Sequence, residues 1–276
     1  METEHLTFKA QGRRRRRRGS VWAPLYLTVI LILMYLPIAV VVLYSFNANT
    51  SRYPTAFTGF SLQFYQALFR DTKGLVAALK SSLLLAAASC GISMVIGTLG
   101  AVGMAQRRFR GQGALENLSI LPIMVPEIIL GMAFLAVFTA VGFRFGMLTL
   151  VLAHVTFCTP YIFLIVKGRL QGMDPSLAEA SRDLGASPRR TFFEITLPLI
   201  LPAVLSGVTL AFAMSMDDFV ISFFVTGATT TTLPLKIYSS VKTGVSLQVN
   251  ALCTLMLAAV ALIMALRQLF LKRGDR

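Results

Sequence analysis

Three acidic side chains stand where acids are costly. Glu127, Asp217 and Asp218 interrupt long apolar runs. A charge at the centre of a membrane helix costs roughly 2.5–3.5 kcal/mol on insertion scales, so such residues tend to face a partner helix, a cavity or a pathway. Carboxylates in a low-dielectric passage attract cations. A cation with several ammonium groups separated by methylenes suits separated carboxylates with aromatic surface between them, because ring faces attract ammonium groups. Tyr161, Phe219, Phe223 and Tyr238 are the candidate walls. Structural pairing of the acids with polar neighbours is the plainer use. Asp217 and Asp218 are adjacent and therefore about 100° apart on a helix. One is expected to line the pathway, with Asp217 favoured, and the other to bond to a neighbouring helix or subunit.

Other chemistry is harder to find. The sequence has no GxxxxGK[ST] phosphate loop, the motif that would cradle a nucleotide. It offers no defensible Ser-His-Asp set or zinc spacing. His154, in Ala-His-Val-Thr-Phe-Cys-Thr-Pro160, has one nearby cysteine and makes a poor metal site. A hydrogen bond between helices is the expected use. Cys90, Cys158 and Cys253 lie in apolar runs without a CxxC pair and read as small buried hydrophobes. The chain is therefore expected not to be an enzyme and to hold no cofactor or metal. Energy for any uphill transport has to come from another polypeptide.

The elements that position these residues follow from composition. Of 276 residues 55% are hydrophobic and only 14% charged, against about 25% charged in soluble domains. Crossing about 30 Å of hydrocarbon takes about 20 apolar residues. Six segments qualify, near 24–46, 79–105, 118–141, 147–166, 199–225 and 249–270. Backbone groups in lipid bond internally, so the expected fold is all-α and polytopic, with about six transmembrane helices. Pro122 and Pro126 beside Glu127 predict a loosened helix lining a cavity. Gly97, Gly100 and Gly103 predict close helix packing.

Most of the 26 Lys and Arg residues fall in the segments that are internal when the N-terminus is internal. Both termini are therefore expected in the cytoplasm. This gives a cytoplasmic arginine-rich tail (1–22), a transmembrane domain (23–270) and a short tail (271–276). The arginine run 13–18 reads as a topology anchor near anionic headgroups. The net charge of +14 fits a membrane better than nucleic acid, for which no basic-aromatic module exists. The outer loop 47–78 carries Tyr53, Phe57, Phe60, Phe64 and Tyr65, which suits an interfacial segment. The loop 227–248 either folds back toward a pore mouth or simply connects two helices.

The loop 168–198 has the strongest local signals. Asp174 suits an N-cap, Pro175 a first helical position and Gly185 a left-handed terminator. Ser187-Pro188 repeats the cap and starts a second helix running to Leu197-Pro198. A helical elbow between two spans is predicted. Its first helix, amphipathic through Leu177, Ala178, Ala180, Glu179, Arg182 and Asp183, suits a groove on a partner.

Glu179-Ala180-Ser181, then Gly185, then Ile195-x-Leu197-Pro198, resembles the EAA loop of ABC-importer permeases. Ser181 stands where that family usually has Ala. The resemblance covers roughly residues 25–270. Ser215-Met-Asp-Asp-Phe-Val-Ile-Ser, Leu233-Pro-Leu-Lys-Ile-Tyr-Ser and Val249-Asn-Ala-Leu252 are similar to the C-type permease subunits of spermidine/putrescine importers. The arginine-rich N-terminus is not part of that pattern.

The resemblance implies a type I importer fold in a bacterial inner membrane and an ATPase-coupling role for Glu179, Ala180, Ser181, Asp183 and Gly185. It also implies a second homologous permease, two cytoplasmic ATPase subunits holding ATP and Mg2+, and an extracytoplasmic polyamine-binding protein. Glu127, Tyr161, Asp217, Asp218 and Phe219 are then the expected substrate pathway. A permease for another organic cation, or a proton-coupled secondary transporter using Glu127 and Asp217, are the competing readings.

Overall fold

The structure is a computed structural model that describes residues 22–51, 56–71, 73–106, 109–174, 176–244 and 246–274. The arginine run 13–18, Tyr53 and Pro175 lie outside the described residues. The described residues are helical apart from turns and one isolated bridge. In chain order the helices are α1 (Trp22–Ser45), α2 (Gln63–Phe69), α3 (Leu75–Gln106), α4 (Gln112–Met124), α5 (Glu127–Val141) and α6 (Met147–Gln171). They continue as α7 (Ser176–Asp183), α8 (Pro188–Thr191), a π-helical turn (Phe192–Thr196), α9 (Leu197–Asp217), α10 (Val220–Val225), α11 (Leu233–Thr243) and α12 (Leu247–Gly274).

Five helical stretches are long and apolar enough to cross a bilayer, or six if the bent pair α4–α5 counts as one span. Two of the six expected spans are not continuous helices. The third is two helices bent by 107° at Val125–Pro126. Pro126 cannot donate to the ladder and drives Val125 out of the helical region; Val125 is extended. The fifth ends at Asp217, and α10 resumes only at Val220. α12 runs past residue 270 to Gly274.

The core is a stack of α3, α6 and α9. In lipid, helices gain little by hiding apolar surface from one another, so close packing through small residues holds them together. Ile162 of α6 sits between two glycines. A Cβ on Gly97 of α3 would lie 3.1 Å from the Ile162 Cβ, and one on Gly207 of α9 would lie 3.1 Å from its Cα. Gly100 has only ordinary contact with Phe163, and a Cβ on Gly103 would meet nothing within 4 Å among the described residues. The glycine repeat therefore packs at its first member and not at its last.

α4 is tied to this stack by an ion pair between Glu116 and Lys167 of α6. Its Gln112 side chain also donates to the Met104 carbonyl, 2.7 Å away. α1 packs against α12, and its remaining apolar surface is exposed as a lipid face would be.

The aromatic loop folds on itself. Asn47 is buried; its Nδ2 donates to the Ala56 carbonyl at 2.9 Å and its Oδ1 accepts from the Thr58 N–H at 2.9 Å. In the same loop Phe46 packs on Tyr65 and Phe57 on Phe60. In the 227–248 loop the Leu233 N–H donates to Ser82 Oγ at 2.8 Å, which docks α11 on α3.

Candidate functional site

The two helix breaks meet across α6. Between the α4–α5 bend, the middle of α6 and the α9–α10 break lies a cavity of about 190 Å³. Glu127, Tyr161, Asp217, Asp218 and Phe219 all line it, with Pro122, Phe157 and Met214 among its apolar walls. All five pathway residues expected from sequence are thus brought together. Phe223 and Tyr238 do not line the cavity. They pack on Phe219, at 5.7 and 4.6 Å between ring centroids, and so support its wall.

The carboxylates differ in their partners. Glu127 opens α5 directly after the bend, where the free N–H groups of a helix start favour negative charge. Neither the Glu127 nor the Asp217 carboxylate has a hydrogen bond or ion pair among the described residues, and both residues are exposed in the single chain. Asp218 lies outside any helix, so the 100° separation expected for two helical neighbours does not apply. Both aspartates line the same cavity, Asp218 with its side chain only 5% exposed. Asp218 turns its carboxylate to the start of α10, accepting from the Ile221 N–H at 3.1 Å and the Ser222 N–H at 2.8 Å. It satisfies donors that a new helix start leaves unpaired.

His154, fully buried, joins α6 to the far side of that break. Its Nδ1 is 2.8 Å from Ser215 Oγ, and its Nε2 is 3.1 Å from Ser222 Oγ and 3.4 Å from Asp218 Oδ2. This is the interhelical bonding expected of it. The sequence alone gives Ser215 and Ser222 no role. Their spacing about Asp218, three residues before and four after, was the available signal.

At the other end of α9 the elbow carries the predicted caps at Asp174, Gly185 and Ser187. The Ser176 N–H donates to Asp174 Oδ1 at 3.0 Å, which holds that carboxyl below its ordinary range. Gly185 adopts φ +83°, and the Ala186 N–H reaches back to the Ser181 carbonyl at 3.1 Å, closing α7 with a left-handed glycine cap. Ser187 accepts from the Arg190 N–H at 3.3 Å.

The second elbow helix does not stop before the span. α8, the π turn and α9 form one stretch from Pro188 to Asp217. Pro198 would clash with the Glu194 carbonyl in regular α geometry, and the wider π turn at Phe192–Thr196 relieves this. Glu179, Ala180, Asp183 and Gly185 are exposed and Ser181 half-buried, its Oγ 3.1 Å from Thr191 Oγ1 of α8. No described residue of α7 is buried, and Leu184 is 89% exposed. Isolated exposed leucines are ordinary, but Leu177 of α7 and Phe193 of the π turn, two elements in contact, are exposed as well, and clustered apolar side chains are what partners cover.

Broken helices around an acid-lined cavity, with a helical elbow between two spans, define a transmembrane permease of the ABC-importer type. The model of the binding-protein-dependent transport system inner membrane component family matches residues 93–274, and the chain belongs to that family. It is 39% identical to the putrescine transport system permease protein of Escherichia coli strain K12, over 93% of each chain. It is also 39% identical to the spermidine/putrescine transport system permease protein of Haemophilus influenzae, over 91% of this chain and 96% of that one. Among solved structures, a bacterial ABC transporter involved in importing the acidic polysaccharide alginate superposes with a TM-score of 0.69 at 12% identity. That match covers 91% of this chain and 95% of that one. The MetNI methionine ABC transporter gives 0.58 at 21% identity, covering 73% and 96%. These structural likenesses concern the fold.

Proposed function

We propose that this chain is the permease subunit of an ATP-driven polyamine importer and forms half of the translocation pathway. The observation that carries the reading is the cavity, where the carboxylates of Glu127 and Asp217 have no hydrogen-bond or ion-pair partner among the described residues and share walls with Tyr161 and Phe219. A polyamine offers ammonium groups to the carboxylates and methylenes to the aromatic and apolar walls, with ring faces adding cation–π attraction. Relatives named for putrescine and spermidine support the same substrate class. A second homologous permease closes the open side of the cavity. An extracytoplasmic binding protein delivers the polyamine.

The elbow lies in the cytoplasm, with both termini, in a bacterial inner membrane. Glu179, Ala180, Ser181, Asp183 and Gly185 seat in a cleft of one of two ATPase subunits, which hold ATP and Mg2+. The continuous stretch from Pro188 to Asp217 is 30 residues, or about 45 Å at helical rise, and links the elbow to the cavity edge. Movement of the elbow on ATP-driven ATPase closure therefore displaces Asp217 and the α9–α10 break, switching the cavity between outward-open and inward-open.

The test is uptake of labelled putrescine and spermidine into vesicles holding the assembled transporter. Uptake is expected to need ATP and the binding protein, and Glu179→Ala is expected to abolish it at unchanged membrane abundance. Uptake driven by an imposed proton gradient without the ATPase would instead make Glu127 and Asp217 proton relays. Uptake of a different organic cation alone would move the substrate class.

A further inference from the structure

Asp218 lines the cavity, but its side chain is only 5% exposed and its Oδ2 is saturated. That oxygen accepts from the Ser222 N–H at 2.8 Å and the Ser222 hydroxyl at 2.7 Å, with His154 Nε2 at 3.4 Å. Hydrogen-bond accounting places a proton on one ring nitrogen. A serine hydroxyl has one proton, and that of Ser222 goes to Asp218. Toward the imidazole, Ser222 Oγ can only accept, so Nε2 carries a hydrogen directed at Ser222 Oγ and Asp218 Oδ2. Nδ1 faces Ser215 Oγ at 2.8 Å, which fixes the other edge of the ring. Phe157 packs against the ring at 4.9 Å.

We infer that His154 is a positioning residue of the transport site: with Ser222 it withdraws Asp218 from the cavity, so that two carboxylates rather than three face the substrate. This rests on the polyamine reading for its consequence. The number of available carboxylates sets the preference between a diamine and a longer polyamine with more ammonium groups. Without the imidazole, Asp218 loses an N–H and Ser222 loses the group that orients it. The carboxyl keeps the Ile221 and Ser222 N–H groups but opens toward the cavity on the side the imidazole covered, as a third anchor.

Two readouts on the assembled transporter test this. The first is modification by a hydrophobic carbodiimide, located by peptide mass spectrometry, and needs no substrate. In the wild type Asp217 is modified and Asp218 protected. In His154→Ala, modification of Asp218 rises about tenfold, the effect of losing one hydrogen bond to a charged group. In His154→Gln, whose amide N–H replaces Nε2–H, Asp218 stays protected.

The second readout is the ratio of kcat/KM for spermidine over putrescine. It rises about tenfold in His154→Ala and returns to the wild-type value in His154→Ala/Asp218→Asn. A purely structural role would lower uptake of both substrates alike, and the second substitution would restore nothing. Wild-type Asp218 modified as readily as Asp217, or a ratio unmoved in His154→Ala, would overturn the proposal. Should His154→Ala fail to assemble, Ser222→Ala keeps the ring and removes the hydroxyl, and Asp218 modification is again expected to rise. Absence of polyamine uptake by the wild type would count against the substrate reading alone, while the modification contrast still decides the role of His154.

Discussion

The elbow and the cavity sit at opposite ends of α9 and are specified over different ranges of sequence. In the elbow, Asp174 bonds the N–H two residues ahead and Ser187 the N–H three ahead. At the cavity, His154 meets Ser215 across 61 residues and Ser222 across 68. The elbow is local capping chemistry, which a short stretch of chain specifies alone. The cavity exists only once α4–α5, α6 and α9–α10 have packed. Substitutions in the elbow should therefore alter coupling and leave the fold standing, whereas some cavity-end substitutions should unmake the fold.

The largest expected effect tests the long-range side. A Cβ on Gly227 would overlap the Phe145 carbonyl, where the chain after α10 crosses the turn before α6. Backbone stands on both sides, so neither can yield cheaply. Gly227→Ala should cost more than about 3 kcal/mol, seen as lost membrane abundance and a broken monodisperse peak in detergent. Normal abundance would show that this crossing is not needed for assembly.

Next comes Gly185→Val, which puts a β-branched residue at φ +83°. The strain is about 1–2 kcal/mol. ATP-dependent uptake should fall with abundance unchanged, and a fall in abundance instead would make the elbow a determinant of folding. Smaller still is Ser187→Ala, which removes one cap at about 1 kcal/mol. The pH dependence of the elbow has a definite sign. Asp174 has a folded pKa below its unfolded value of about 3.9. Its contribution is complete above that value and is lost as pH falls through the folded pKa. The protection factor of the Ser176 amide against hydrogen exchange should fall only at acid pH, and Asp174→Ala should remove that fall. The smallest effect is Ser181→Ala, which deletes the hydroxyl contact with Thr191 and costs about 1 kcal/mol or less.

This contrast also explains what could be read from sequence. The α7 cap at Asp174, the Gly185 terminator and the Ser187 start were all legible, because each rule spans a few residues. The spans were legible as apolar lengths. Their breaks were less so. Pro126 announced a loosened helix, but proline spacing alone does not tell a gentle kink from a 107° bend. At Asp217-Asp218 no proline or glycine marks the interruption. The second aspartate bonds the first turn of α10, and that capping competes with continuation of α9. The five pathway residues were found because acids and aromatics are conspicuous in apolar runs. The roles of Ser215 and Ser222 are not legible, because serine is unremarkable in a membrane helix until its partner is known.

The most direct test of the account compares Asp217→Asn with Asp218→Asn in ATP-driven putrescine uptake, at matched abundance of the assembled transporter. If Asp217 meets the ammonium group and Asp218 fastens the α9–α10 break, Asp217→Asn raises KM about tenfold or more, the loss of a charge-assisted contact, while Asp218→Asn chiefly lowers stability. Unchanged KM in Asp217→Asn, with uptake otherwise intact, would contradict the cavity as the cation pathway.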